Sequence, residues 1–125
     1  MGTSELYRVV EGFEEIADSL VVDLEYLGRP SFMALFVVPR PGHALDDALR
    51  ERLRAAIRTQ LSARHVPDDV LEIPEVPRTL SGKKLEVPVK RILLGHPPEQ
   101  AVNRASMANP AAIDWFVAFA ARRNA

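Results

Sequence analysis

Residues 16–39, IADSLVVDLEYLGRPSFMALFVVP, decide the fold, because they predict two long strands on either side of a short turn. Residues 16–27 are β-branched and alternating in character, Gly28-Arg29-Pro30 breaks the run, and a second apolar run follows over 31–39. Glycine and proline between two such runs are typical of a β-hairpin. The hairpin is therefore predicted to lie at the centre of the fold.

Helical patterns flank the hairpin on both sides. Thr3 is a good N-cap for a short amphipathic helix over residues 4–13, whose apolar residues fall on one face. After the hairpin, apolar residues recur at three and four positions over 45–61, with Asp46 and Asp47 in the favourable first turn. This segment predicts a helix of about four to five turns that ends at Val66-Pro67.

The second half of the chain predicts one more strand and two more helices. Residues 70–74 form a short apolar strand, and Glu86 to Leu94 form a core helix that tolerates Pro88 in its first turn. Residues 96–100, HPPEQ, predict a loop, and Asn109-Pro110 predicts the start of a final apolar helix, with the asparagine as its cap and the proline in its first turn. We expect an α+β fold: a small mixed sheet, made of the hairpin plus a short third strand, packed by helices and followed by an added C-terminal helix.

Composition limits the possible functions. A chain of 125 residues fits one domain with one core, and a net charge of −1 gives no global basic field for nucleic acid or an anionic membrane. The absence of cysteine excludes disulfides, thiolate metal sites and thiol nucleophiles. No signal peptide is recognisable, and no apolar run approaches the ~18 residues that span a bilayer, so we expect a cytoplasmic location.

The candidate functional segment is PRTLSGKKLEVPVKR at 77–91, in which Ser81-Gly82 precedes two lysines. Glycine permits a positive φ and a close approach to a ligand, so the turn can project with Lys83 at its tip. A phosphate-cradling loop would need glycine at position 77 and serine or threonine at 84, where this chain has proline and lysine. The residues alone leave open a solvated hairpin loop.

Other polar residues give weaker signals. The histidines at 43, 65 and 96 are far apart beside turns, so no metal site is predicted. Arg50, Arg54 and Arg58 form a row on one side of the long helix, for which a solvated face is the common explanation. A small RNA-binding domain that uses the basic residues at 83, 84, 90 and 91 is an alternative, but the strands lack surface aromatics for base stacking, so no nucleic-acid partner is expected. A second alternative is a stand-alone interaction module with an apolar C-terminal helix.

The segment at 77–91 closely resembles the C-terminal lysine motif of the adenylate-forming superfamily, which includes the acyl-CoA synthetases. The opening residues Gly2-Thr3-Ser4-Glu5 are similar to the end of that superfamily's glycine loop, just before its first lid helix. Within the superfamily, the chain resembles the acetoacetyl-CoA synthetases at 61–67 (LSARHVP), 82–87 (GKKLEV) and 108–116 (ANPAAIDWF). The resemblance implies a C-terminal lid domain over 1–97 and an extension over 98–125 that packs on the same domain.

The resemblance also implies roles for single residues. Lys83, on the loop of Ser81 and Gly82, would enter an active site on a large N-terminal adenylation domain and promote ATP-dependent adenylation of acetoacetate. The lid would then rotate and withdraw the lysine while coenzyme A forms the thioester. Arg58 matches an arginine near the phosphates of coenzyme A, and Gly2 and Thr3 belong to the substrate-binding glycine loop.

The large adenylation domain is absent from this sequence, which bears on the cofactors. ATP and coenzyme A are implied as substrates of the full-length enzyme, and magnesium as an ion held by the large domain. The fragment alone is expected to bind none of them and to be inactive. No chemical role is assigned to Lys84.

Overall fold

The computed structural model describes residues 3–24 and 32–123. Its helices and strands, in chain order, are α1 (Thr3–Glu11), β1 (Ile16–Leu24), β2 (Phe32–Pro39), α2 (Asp47–Gln60), β3 (Asp69–Glu72), α3 (Glu86–Leu93), α4 (Pro98–Ala101) and α5 (Ala112–Arg123). Short 3-10 helices cover Ala63–His65 and Arg104–Ser106. No helix within the described ranges has the length and apolar character needed to cross a membrane.

The three strands form one mixed sheet in the order β1-β2-β3. β1 and β2 run antiparallel, with Leu24 opposite Phe32 and Ile16 opposite Pro39. β3 joins β2 in parallel, with Ala34 opposite Asp69, and α2 makes the crossover between them. The predicted α+β fold, with a hairpin and a short third strand, is confirmed. The predicted turn at 28–30 lies outside the described residues.

Helices cover both faces of the sheet, and the side chains of β2 alternate between the two faces. The side chains at 33, 35 and 37 belong to one buried cluster with α1 and α2, whereas those at 34 and 36 belong to another with α3 and α5. Successive strand residues point to opposite faces, so an apolar run without polar interruptions is what a doubly covered strand requires. The hairpin therefore forms the middle layer of three.

The C-terminal helix α5 packs on this same core. Phe36 on β2 meets the rings of Phe116, Trp115 and Phe119 edge to face, at centroid distances of 5.0, 5.7 and 5.9 Å. Such geometry is favourable for aromatic pairs beyond the area that they bury. The apolar stripe of α5 thus faces the chain's own core. It is not available to a partner, as the alternative of a stand-alone interaction module requires.

The long helix begins as predicted but ends earlier. The Asp46 side chain caps it by accepting a hydrogen bond from the Leu49 backbone N–H at 2.8 Å. The helix stops at Gln60 rather than at Val66-Pro67, and a 3-10 turn follows. Ser62 begins that turn with its hydroxyl 2.7 Å from Nδ1 of His65, a local side-chain bond that competes with helix continuation.

Several other boundaries differ from the sequence prediction. The third strand covers Asp69–Glu72 instead of 70–74, and α3 ends at Leu93 instead of Leu94. The first helix ends at Glu11 instead of residue 13, because the chain tightens at Gly12 into a turn in which the Phe13 N–H bonds to the Val10 carbonyl at 3.2 Å. Residues 96–100 are not a plain loop, since Pro98 begins the one-turn helix α4 and proline is well tolerated at a helix start. The last helix starts at Ala112, two residues after Pro110.

We predict that Phe116→Ala lowers the free energy of unfolding by about 3 to 5 kcal/mol, because it empties a fully buried aromatic site in the core under α5. Urea denaturation of the chain measures the change. Val87→Ala is the control, since Val87 is 57% exposed and its loss should change stability by less than about 0.5 kcal/mol. Equal effects of both variants would contradict the packing of α5 on this core.

Candidate functional site: the lysine loop

Residues 79–83, here called the lysine loop, form a tight projecting turn between Arg78 and Lys84, which pair as an antiparallel bridge. The Thr79 N–H bonds to the Lys83 carbonyl at 2.9 Å, and the Gly82 N–H bonds to the Thr79 carbonyl at 2.9 Å. Gly82 has a φ of 92°, a left-handed conformation that residues with a side chain rarely adopt. The predicted turn at Ser81-Gly82 therefore has the geometry that the glycine permits.

Lys83 is exposed at the tip of this loop. Its backbone N–H is held by the Thr79 hydroxyl at 3.0 Å, but its ammonium makes no hydrogen bond or ion pair with any residue of the described ranges. Ser81 is also exposed, and its hydroxyl lies 2.9 Å from that of Thr79. A fixed backbone thus presents a cation that is available to an anionic ligand.

The Lys84 side chain packs against α1 and β1, where its ammonium is held by several contacts. Its side chain is only 16% exposed, and the ammonium lies 3.4 Å from the centroid of the Tyr7 ring. The same nitrogen is 2.5 Å from Glu11 Oε2 and 3.6 Å from Asp18 Oδ1. A cation over an aromatic face with two carboxylates beside it is well compensated for its partial burial.

Arg78 completes a cluster that we call the lysine anchor: Tyr7, Glu11, Asp18, Arg78 and Lys84. One guanidinium nitrogen of Arg78 donates to both Asp18 oxygens, at 2.8 and 2.7 Å. The other donates to the Gly82 carbonyl at 2.7 Å. Arg78 thereby connects the first strand to the lysine loop itself.

The Tyr7 hydroxyl connects the lysine anchor to two further elements by hydrogen bonds. It donates to the Glu86 carboxylate on α3 and accepts from the Val21 backbone N–H at 3.1 Å. Burial, and then the hydrogen bond to Glu86, raise the pKa of the Tyr7 phenol well above its ordinary value. The phenol therefore remains protonated and keeps α1, β1 and α3 together.

Residues 106–109 support the lysine loop from behind. The Leu80 N–H bonds to the Ser106 carbonyl and the Ala108 N–H to the Arg78 carbonyl, both at 3.0 Å. The Asn109 side chain accepts from the Arg78 N–H at 2.9 Å and donates to the Val76 carbonyl at 2.8 Å. The sequence predicted Asn109 as the cap of the last helix, whereas its side chain binds the backbone of the segment that leads into the loop.

The other predicted site residues lie on separate elements. Arg58 is exposed in the last turn of α2 and makes no hydrogen bond or ion pair within the described chain. Arg50 donates to the Val70 carbonyl in β3, and Arg54 to the Asp68 carbonyl just before it. Thr3 is exposed at the start of α1 and borders a surface pocket of about 150 Å³. Gly2 lies outside the described residues. No hydrogen bond or ion pair in the described ranges joins Arg58 or Thr3 to the lysine loop.

Sequence reasoning missed the lysine anchor because its members are far apart in the chain. Lys84 and Glu11 are separated by 73 positions, and Arg78 and Asp18 by 60. One local signal was present: Asp18 is one of two acidic residues in a mostly apolar strand. In the described ranges no group of histidine, aspartate and glutamate side chains could hold a metal ion.

The sequence is similar to a known domain family and to longer enzymes. The sequence model of the AMP-binding enzyme C-terminal domain matches residues 9–83. The acetoacetyl-CoA synthetase of Macaca fascicularis is 44% identical over 115 residues, which are 92% of this chain and 17% of that protein. The chain thus spans about one sixth of the length of this relative.

Solved structures with a similar fold are also synthetases. The acetoacetyl-CoA synthetase from Streptomyces lividans matches with a TM-score of 0.91 and 46% identity over 98% of this chain and 18% of that one. An acyl-CoA synthetase from Brucella canis matches with a TM-score of 0.62 and 26% identity over 75% of this chain and 16% of that one. The fold described above is therefore similar to a C-terminal part of much longer synthetases.

We predict that Tyr7→Phe costs about 1 kcal/mol at neutral pH, because the Val21 N–H and Glu86 lose a partner. It should also flatten the alkaline part of the stability profile. The folded state holds the phenol proton more tightly than the unfolded state, so wild-type stability falls as pH rises past about 10, and a phenylalanine removes this loss. Urea denaturation at pH 8 and pH 11 measures both effects. Identical pH dependence in the two proteins would contradict the buried phenol.

Proposed function

The chain belongs to the AMP-binding enzyme C-terminal domain family, and on that premise we propose that it is the mobile lid of an AMP-forming acetoacetate–CoA ligase. The single observation that carries this proposal is the exposed Lys83 ammonium on a hydrogen-bonded loop that lies within the family motif. The likeness to acetoacetyl-CoA synthetases of two sources supports the acyl substrate. The residues of the lid itself do not contact the acid in this proposal.

Lys83 acts in the first half-reaction. The carboxylate of the acid attacks the α-phosphorus of ATP, the acyl adenylate forms and pyrophosphate leaves. Negative charge accumulates around the reacting phosphate, so a preorganised ammonium stabilises the transition state. The lysine loop suits this role because its backbone is fixed while its cation is unpaired within the described chain.

The lid then changes orientation for the second half-reaction. The coenzyme A thiol attacks the acyl carbonyl, the thioester forms and AMP leaves. Rotation of the lid withdraws Lys83 and brings the glycine loop, with Gly2 and Thr3, toward the pantetheine chain, a hinge motion of the domain-closure kind. Arg58, exposed and unpaired within the described residues, then meets a phosphate of coenzyme A.

The remaining partners belong to the rest of the enzyme. The large N-terminal adenylation domain binds ATP and the acid, and any magnesium that accompanies ATP is assigned to it, since the described lid residues gather no ligand set. We propose that residues 1–97 are the lid domain proper and that 98–125 are an extension packed on it. The isolated lid is inactive, and a cytoplasmic location stays a prediction.

We predict that Lys83→Ala in the full-length enzyme lowers acid-dependent pyrophosphate exchange by a factor on the order of 10² to 10³, the loss of one preorganised charged contact. The same variant, given acetoacetyl adenylate and coenzyme A, should form thioester at a nearly normal rate, because the loop is withdrawn in that step. Lys83→Arg should not rescue, since a planar guanidinium replaces a compact charge.

The control for this prediction is Arg91→Ala, which removes an exposed charge from α3 and should affect neither half-reaction. An equal loss in both half-reactions of Lys83→Ala would mean that the substitution damages docking of the lid. In that case the role proposed for Lys83 in adenylation is wrong.

We predict that Arg58→Ala raises the KM for coenzyme A with little change in the KM for ATP or acid. A partly exposed charged contact is worth roughly 1 to 2 kcal/mol, which corresponds to about a 5- to 30-fold increase. Steady-state kinetics of the full-length enzyme measure the change. Arg122→Ala removes an exposed arginine from α5 and is the control. An unchanged KM for coenzyme A would leave Arg58 as a solvated surface residue.

A further inference from the structure

Two neighbouring lysines of the chain have opposite environments. Lys83 is exposed and unpaired within the described chain, whereas Lys84 is enclosed by Tyr7, Glu11 and Asp18. We propose that Lys84 is a positioning residue, which determines the direction in which the Lys83 ammonium leaves the loop. The inference rests on the proposed function, because the group that it positions is the lysine of the adenylation step.

Lys83 and Lys84 are successive residues at the end of the lysine loop. Lys84 forms a β-bridge with Arg78, and successive residues in extended backbone point to opposite sides. When the Lys84 ammonium is held against α1 and β1, the Lys83 side chain is directed away from the domain. Fixing one side chain therefore orients the other without any contact to it.

Both ends of the lysine loop are attached to one carboxylate. Asp18 takes two hydrogen bonds from Arg78, which precedes the loop, and lies 3.6 Å from the ammonium of Lys84, which follows it. Arg78 also holds the carbonyl of Gly82 inside the loop. A loop held at both ends cannot pivot about one of them, so its tip keeps one orientation.

Without Lys84 the lysine anchor loses a cation. Glu11 keeps the Ser19 hydroxyl at 2.6 Å, but it loses its ion pair. Asp18 keeps the Ser19 N–H at 2.9 Å and Arg78 as its remaining cation. The two acidic side chains then carry one compensating cation instead of two. The end of the loop at residue 84 is then held by backbone bonds alone, such as that from the Leu85 N–H to the Pro77 carbonyl.

A positioned ammonium matters more for catalysis than for binding. Small displacements of a group that acts on the transition state reduce the rate strongly, because the charge must already be in place when the reaction occurs. Lys83 has a long flexible side chain, so its base is the part that the protein can fix. Loss of Lys84 should therefore lower the rate of adenylation rather than substrate affinity.

The experiment uses Lys84→Met in the full-length enzyme, which removes the ammonium and keeps an unbranched apolar side chain of similar length. The turnover number for pyrophosphate exchange should fall on the order of 10-fold, with KM for ATP and acid unchanged and with normal thioester formation from acetoacetyl adenylate. Lys84→Arg keeps a cation over the Tyr7 ring and should recover most of the rate. Arg91→Met, an exposed charge on α3, is the control.

Hydrogen exchange of the same variants separates positioning from general loss of structure. In Lys84→Met the amides of Thr79, Gly82 and Lys83 should exchange at least several-fold faster, while those of α2 keep their protection. Glu11→Gln removes one charge of the lysine anchor and leaves an acceptor for Ser19, so it should give a smaller effect in the same direction. It also serves if Lys84→Met does not fold.

The outcomes distinguish this inference from the proposed function. Normal exchange of pyrophosphate in Lys84→Met beside a strongly reduced rate in Lys83→Ala overturns the positioning role and leaves the proposed function in place. A normal rate in Lys83→Ala overturns the proposed function and the positioning role together. Equal losses in both half-reactions, with faster exchange throughout the domain, show that Lys84 supports only the fold and overturn the inference.

Discussion

The ammonium of Lys84, held on the face of Tyr7 between two carboxylates, is the interaction on which the arrangement of the site depends. It connects the first helix and the first strand with a loop 73 positions later than Glu11. Removing one partner of a partly buried ion pair costs more than the pair contributes, because the other charge remains without compensation. The charges of the lysine anchor therefore hold the base of the loop whose tip exposes Lys83.

Most of the fold could be predicted because its signals are local. The apolar run of β2 predicts a strand covered on both faces, and the capping residue Asp46 with a period of three to four predicts α2. Most of the errors lie at helix ends, where weak local interactions compete with the helix. The Ser62 hydroxyl and the turn at Gly12 each move a helix end by a few residues, and Pro98 begins a one-turn helix where a loop was predicted.

In the candidate site, features that depend on local contacts were predictable, whereas those that depend on distant contacts were not. The turn at Ser81-Gly82 and the exposure of Lys83 follow from the glycine and its neighbours. The direction of Lys84 does not, because no neighbouring residue distinguishes it from Lys83. Asn109 was predicted to cap a helix, a local role, whereas its amide binds backbone more than 30 positions away. Contacts of this kind depend on the assembled sheet and its helices, which no short window of sequence contains.

The Tyr7 hydroxyl has a consequence for how the domain behaves among other molecules. β1 has a neighbour on only one side of the described sheet, and an exposed edge of this kind invites strands of other chains to add to it. Here the N–H groups of Val21 and Ser19 are already bonded, to the Tyr7 hydroxyl and to the Asp18 carboxylate. An incoming strand would have to displace both side chains from these N–H groups. The same residues that support the lysine loop thus protect the domain against edge-to-edge aggregation.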